Sequence, residues 1–138
     1  MTRQRGHATC GRCSTDFEYF LVHAGFNVCA YAYCDRCGLP ALLSPWSPRR
    51  PQGLSLEPYR GIARAVERHL RPCECGGRFR AGAAPRCPSC HEPLSAEAMA
   101  GPIEEDSPAT RDGWRWDRRW DGLYCVIVNG RWIDDNWI

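Results

Sequence analysis

The chain has 138 residues, the usual length of one domain, but 13 glycines, 11 prolines and a 43% apolar share leave little material for one large core. Its net charge of +2 hides a split, with twelve Arg against six acids over residues 1–80 and six Arg against ten acids over 81–138. No N-terminal apolar run suits a signal peptide, and no segment approaches the roughly 18 apolar residues of a membrane span, so a soluble, cytoplasmic protein with no membrane association is expected. In that reducing compartment ten cysteines grouped in close pairs argue for metal before disulfides. The chain has no lysine, all 18 Lys+Arg residues being arginine, a bias that codon usage explains better than phosphate binding does.

Residues 1–43 read as the first cysteine unit, opened by a basic leader over 1–9 with no element of its own. Its arms DFEYFLV and NVCAYAY flank a His23-Ala24-Gly25 turn and read as a hairpin. Residues 44–54, SPWSPRRPQGL, form a stiff, extended, proline-rich linker whose Trp46 is the residue there suited to dock on something.

Over 55–72 the apolar residues Tyr59, Ile62, Ala63, Val66 and Leu70 recur at helical spacing between Pro58 and Pro72, which predicts one amphipathic helix. Arg60, Arg64, Arg68 and Arg71 then align on its other face. Such a row can follow a nucleic-acid backbone, meet an acidic protein surface, or be an ordinary solvated face.

Residues 73–94 form the second cysteine unit and 95–110 an acidic linker. Over 111–138 the pairs Asp121-Gly122 and Asn129-Gly130 suit two-residue turns, because both turn positions need positive φ. They predict a three-stranded antiparallel meander over about 114–120, 123–128 and 131–137, its faces covered by Trp114, Trp116, Trp120, Trp132 and Trp137. Acidic residues interleave with these rings and disfavour stacking against nucleic acid.

Eight cysteines fall into four close pairs: Cys10/Cys13, Cys34/Cys37, Cys73/Cys75 and Cys87/Cys90. A short gap between thiolates lets the backbone curl so that both sulfurs reach one ion, and two pairs complete a tetrahedral set. Sequential pairing, with Cys10, Cys13, Cys34 and Cys37 at one site and Cys73, Cys75, Cys87 and Cys90 at the other, needs the shortest loops; an arrangement crossing the linker and helix is the alternative. Iron suits four thiolates as well as zinc does. Disulfides or free buried thiols are the non-metal alternatives.

With CGRC at 10–13, YCDRCG at 33–38, CECGGRF at 73–79 and PRCPSC at 85–90, the chain resembles the zinc-ribbon superfamily. The resemblance covers about half the chain and implies knuckles on β-hairpins facing each other across a zinc ion. CEC, with one residue between its cysteines, departs from the pattern. The expected fold is α+β, with two small zinc ribbons joined by the amphipathic helix and followed by the meander.

Cys29 and Cys125 are left over. Both sit in apolar strand sequence, where a free cysteine behaves as a small hydrophobe; a reactive Cys29 would need a histidine partner such as His23. His7, His69 and His91 flank cysteine pairs as neighbours or surface residues rather than as ligands. The resulting expectation is a non-catalytic module, stapled by two structural Zn2+ ions, that presents a surface to a protein partner. Nucleic-acid binding through Arg60, Arg64, Arg68 and Arg71 is the alternative, a thiol-dependent enzyme using Cys29 a third reading, and no small-molecule substrate is evident.

Overall fold

A computed structural model describes residues 3–23, 30–54, 62–94 and 124–138. Among the described residues seven strands form two sheets: β1 (Arg3–Thr9), β2 (Asp16–His23), β3 (Ala30–Cys34), β4 (Pro40–Leu43), β5 (Phe79–Arg80), β6 (Tyr124–Val128) and β7 (Ile133–Asp134). The first sheet has the order β1-β2-β6 and the second β5-β3-β4-β7.

The fold is therefore mostly β, and the expected α+β architecture is not formed. Where an amphipathic α-helix was expected over 55–72, the described part holds one 3-10 helix, Arg64–His69, flanked by extended backbone at Ala63 and Leu70. Three of the apolar positions are still used, since Ile62, Val66 and Leu70 are buried, whereas Ala63 is exposed. What fails is the backbone pattern. The Ile62 N–H donates to the Tyr31 carbonyl, the Arg71 N–H to Asn136, and Leu70 bridges to Trp137. Groups that a longer helix would pair internally are spent on neighbouring strands, and tertiary pairing overrides a weak local propensity. Residues 55–61, Arg60 among them, lie outside the described residues.

The basic leader is strand β1, paired antiparallel with β2 from Arg3↔Val22 to Thr9↔Asp16. The expected hairpin between residues 16–22 and 27–33 does not form, because β2 is flanked on its two edges by β1 and β6 while β3 lies in the other sheet.

The meander is also replaced. Asn129 and Gly130 both adopt positive φ, 53° and 67°, as the Asn-Gly signal requires. Yet the chain does not fold back on β6. It crosses to the second sheet, where β7 runs parallel to β4 with Ala41↔Ile133 and Leu42↔Asp134. The Asp121-Gly122 turn, the strand over 114–120 and Trp114, Trp116 and Trp120 lie outside the described residues.

The extended linker is instead a series of turns, with Arg50 donating to the carbonyls of Pro45 and Leu54 and Arg49 paired with Asp135 at 2.9 Å.

Strand β3 is the hinge of the packing, being buried along its whole length. Ala30, Ala32 and Cys34 face a core with Leu43, Val66, Phe79 and Trp137, while Tyr31 and Tyr33 face Val126, Ile127 and Cys125 of the first sheet. This is the period-two alternation of a strand sandwiched on both sides. Trp137 is fully buried and donates its indole N–H to the Ser44 carbonyl at 3.2 Å, which pins the C-terminal segment beneath β4.

Candidate metal centres

Three of the four cysteine pairs build the same backbone loop. In each CxxC loop the first cysteine's N–H donates to the carbonyl five residues on: Cys10 to Thr15, Cys34 to Leu39 and Cys87 to Glu92, each at 2.9 Å. Its carbonyl accepts from the N–H four residues on, in Ser14, Gly38 and His91. That fourth residue has positive φ every time: 62° at Ser14, 77° at Gly38 and 62° at His91. The CEC pair makes the same loop one residue shorter, with the Cys73 N–H on the Gly77 carbonyl, the Gly76 N–H on the Cys73 carbonyl, and positive φ at Gly76.

Each loop also turns one amide toward sulfur. Arg12, Arg36 and Ser89 donate to Cys10, Cys34 and Cys87, and Gly77 donates to Cys75, all at 3.4 Å. An amide aimed at sulfur favours the thiolate, which is the form that binds metal.

The loops combine in a nested order. Cys10 and Cys13 meet Cys87 and Cys90, and Cys34 and Cys37 meet Cys73 and Cys75. The first and last pairs thus enclose the site made by the middle two, and the sequential grouping expected from the spacing is not what the structure brings together. Cross-loop sulfur pairs lie 3.6 Å apart for Cys10/Cys90 and Cys13/Cys87, 3.5 Å for Cys34/Cys75 and 3.6 Å for Cys37/Cys73. A tetrahedron with metal–sulfur bonds of about 2.3 Å has edges of about 3.8 Å, so both quartets fit one ion with little adjustment. All four corners of each site are cysteine sulfur. His7 pairs with Glu18, and neither His69 nor His91 joins either quartet.

The sulfurs do not share one electrostatic state. The hydroxyl and backbone of Thr15 hold the Cys13 thiol down at about 6. Burial opposes ionisation of Cys75, yet the Gly77 amide and neighbouring thiols bring it to about 7, while burial pushes Cys73 up. The Cys13 and Arg12 amides lower the Cys10 thiol as well, so each quartet offers at least one easily ionised thiol, and an entering cation displaces protons from the rest.

Side chains brace each pair of loops. Arg12 of the first loop forms a 2.9 Å ion pair with Glu92 of the fourth. Arg36, at the matching position of the second, donates to the Cys75 carbonyl of the third at 3.2 Å. Asp35 accepts from the Arg78 N–H at 2.9 Å. Close approach fixes two glycines: a Cβ at Gly38 would strike the Arg86 backbone, and one at Gly77 would lie 2.5 Å from the Cys34 sulfur. Nothing in the local sequence marks the contact of Gly38 with Arg86.

Residues 6–96 match the family model described as Domain of unknown function (DUF8255). The chain belongs to that family. The matched span of DUF8255 contains all eight clustered cysteines, so both quartets are internal to the family's domain. No curated protein and no solved structure matches the chain significantly.

Of the remaining candidates, Cys125 is buried between the sheets beside Tyr33, whose hydroxyl oxygen accepts from the Val126 N–H at 2.7 Å. Burial pushes the Cys125 thiol up to about 12, the opposite of an activated nucleophile. Cys29 lies outside the described residues. Arg64, Arg68 and Arg71 are exposed, but Arg71 follows the 3-10 helix in extended chain, so the four-residue spacing no longer makes an α-helical row. No helix among the described residues is long and apolar enough to cross a membrane.

Proposed function

We propose that this protein is a non-catalytic scaffold, stapled by two structural zinc ions in zinc-ribbon-like sites, that presents a surface to a protein partner in a reducing, cytoplasmic compartment. The observation that carries the reading is the closure of both sites. With cysteine sulfur at every corner, neither quartet leaves a coordination position for water or substrate, which is the arrangement of a structural rather than a catalytic ion. Trp46 supports the partner surface: it is 81% exposed on a turn that Arg49 and Arg50 hold in place, and a rigid exposed indole is a favoured anchor at protein interfaces.

Metal analysis of protein purified without added metal should give two zinc ions per chain; iron at either site overturns the zinc assignment. Trp46→Ala should lose the protein that co-purifies with the wild type while keeping both ions. A catalytic turnover that disappears in Cys29→Ala with both ions retained would sink the non-catalytic reading.

A further inference from the structure

Between the two cysteine quartets runs a cleft of about 110 Å³ lined by Leu39, Pro40, Arg86, His91, Asn129 and Arg131, among others. It lies where the second and fourth cysteine loops meet, at the contact of Gly38 with Arg86. Its lining carries two arginines and a histidine and no carboxylate. A second, more open cleft of about 270 Å³ shares Leu39 and Arg131 with the first and extends along Trp132.

The cationic groups are placed and unspent. Arg86 is held by a 2.9 Å hydrogen bond from its terminal nitrogen to the His91 carbonyl, yet its buried Nε–H has no partner among the described residues. That Nε–H is enclosed by protein and out of a ligand's reach, so Arg86 contributes to the cleft it lines through the positive charge of its guanidinium. The Arg131 side chain is exposed and makes no hydrogen bond or ion pair among the described residues, even with Glu74 in the adjoining cleft. Trp132 is 49% exposed and offers a flat face next to it.

We propose that the two clefts form one binding site for a nucleotide unit, with the phosphate between Arg86 and Arg131 and the base stacked on Trp132. Guanidinium groups suit phosphate because they offer paired donors to its oxygens. A tryptophan face suits any base, since stacking depends on ring area rather than on hydrogen-bond pattern, and of the two acids that follow Trp132, Asp135 is already paired with Arg49. The ligand unit is the same in a free mononucleotide and in a single strand. None of these residues belongs to the Trp46 turn, so substitutions test the two surfaces separately.

The test uses the full chain with its metal bound, followed by backbone-amide and indole NMR shifts during titration with adenosine 5′-monophosphate, inorganic phosphate, adenosine and a short single-stranded oligoadenylate. The monophosphate or the oligonucleotide should move Gly38, Asn129, Arg131 and the Trp132 indole together, and whichever binds more tightly identifies the source. Arg131→Ala should weaken that binding roughly tenfold, and Trp132→Ala should reduce it to the level of inorganic phosphate, about tenfold again. Both residues are exposed, so both variants should keep their two metal ions and wild-type thermal unfolding. Absence of shifts at these positions with all four probes overturns the proposal. So does nucleotide binding that Arg131→Ala leaves unchanged, or binding of adenosine as tight as that of the monophosphate. Loss of the metal reading shows instead in the ion count, so the two failures are distinguishable.

Discussion

Gly77 lies so close to Cys34 that a methyl group at position 77 would fall 2.5 Å from the Cys34 sulfur and 2.7 Å from the Arg36 Cβ. The third cysteine loop can seat against the second only because position 77 has no side chain. Gly77→Ala should therefore disturb the Cys34/Cys37/Cys73/Cys75 quartet and spare the other. Overpacking of this kind costs about 1–3 kcal/mol, and here it falls on ligand geometry. Metal analysis should find one ion per chain instead of two, and wild-type stoichiometry would remove Gly77 from this role.

The nested pairing makes a sharper prediction. Replacing Cys10 and Cys90 together by serine removes two ligands of one site and should leave one ion bound. Replacing Cys10 and Cys37 together damages both sites and should leave none. Sequential pairing predicts the reverse, with the first variant losing both ions and the second only one. Ion counts on these two double variants therefore decide the topology, and chelation of the wild type should unfold both sites together.

Why that topology was not legible can be stated in terms of chain statistics. The four pairs and their metal chemistry stand in the sequence, because CxxC spacing dictates a local loop whatever surrounds it. Which loops meet is not local. Joining Cys13 to Cys87, 74 residues away, rather than to Cys34 costs only about 1 kcal/mol more in loop closure, because that cost grows with the logarithm of length. A preference that small yields to sheet pairing, and here β2 is occupied by β1 and β6 and cannot form a hairpin with β3. The same holds for the helix. Ile62, Val66 and Leu70 of the five-residue apolar stripe are buried while Ala63 is exposed, and the spacing carries no sign that Tyr31 and Trp137 compete for the backbone. At the Asn129-Gly130 turn local chemistry set the dihedral angles and the destination of the chain was decided elsewhere.

The repeated loop provides a matched pair of substitutions at its fourth position. Ser14 holds φ of 62° with a side chain that does not favour it, so Ser14→Gly should relieve strain and stabilise by about 0.5–1 kcal/mol after the entropy cost of glycine. Gly38 holds φ of 77° and has no room for a Cβ against the Arg86 backbone, so Gly38→Ala should destabilise by more than about 1–2 kcal/mol. Denaturant unfolding of the metal-loaded proteins should move the two midpoints in opposite directions. Movement in the same direction would mean that the three loops are not equivalent.

Cys125 leads to a pH prediction. Its thiol is buried between the sheets and pushed up to about 12, against an ordinary value of 9.0. In the unfolded chain the thiol loses its proton above pH 9, whereas in the folded protein it keeps it until about 12. The unfolded state therefore binds fewer protons across that window, and stability falls as pH rises. The contribution is fully present below pH 9 and is lost on the way to about pH 12. Cys125→Val keeps an apolar group of similar size and removes the titrating thiol, so it should flatten the decline in unfolding free energy measured between about pH 8 and 10.5. The Tyr33 hydroxyl, also raised by burial, leaves a residual slope. In the native protein at neutral pH, a thiol reagent should modify Cys125 only as fast as the sheets separate; rapid modification without unfolding would place the thiol at the surface and contradict the packing of β6 against Tyr33.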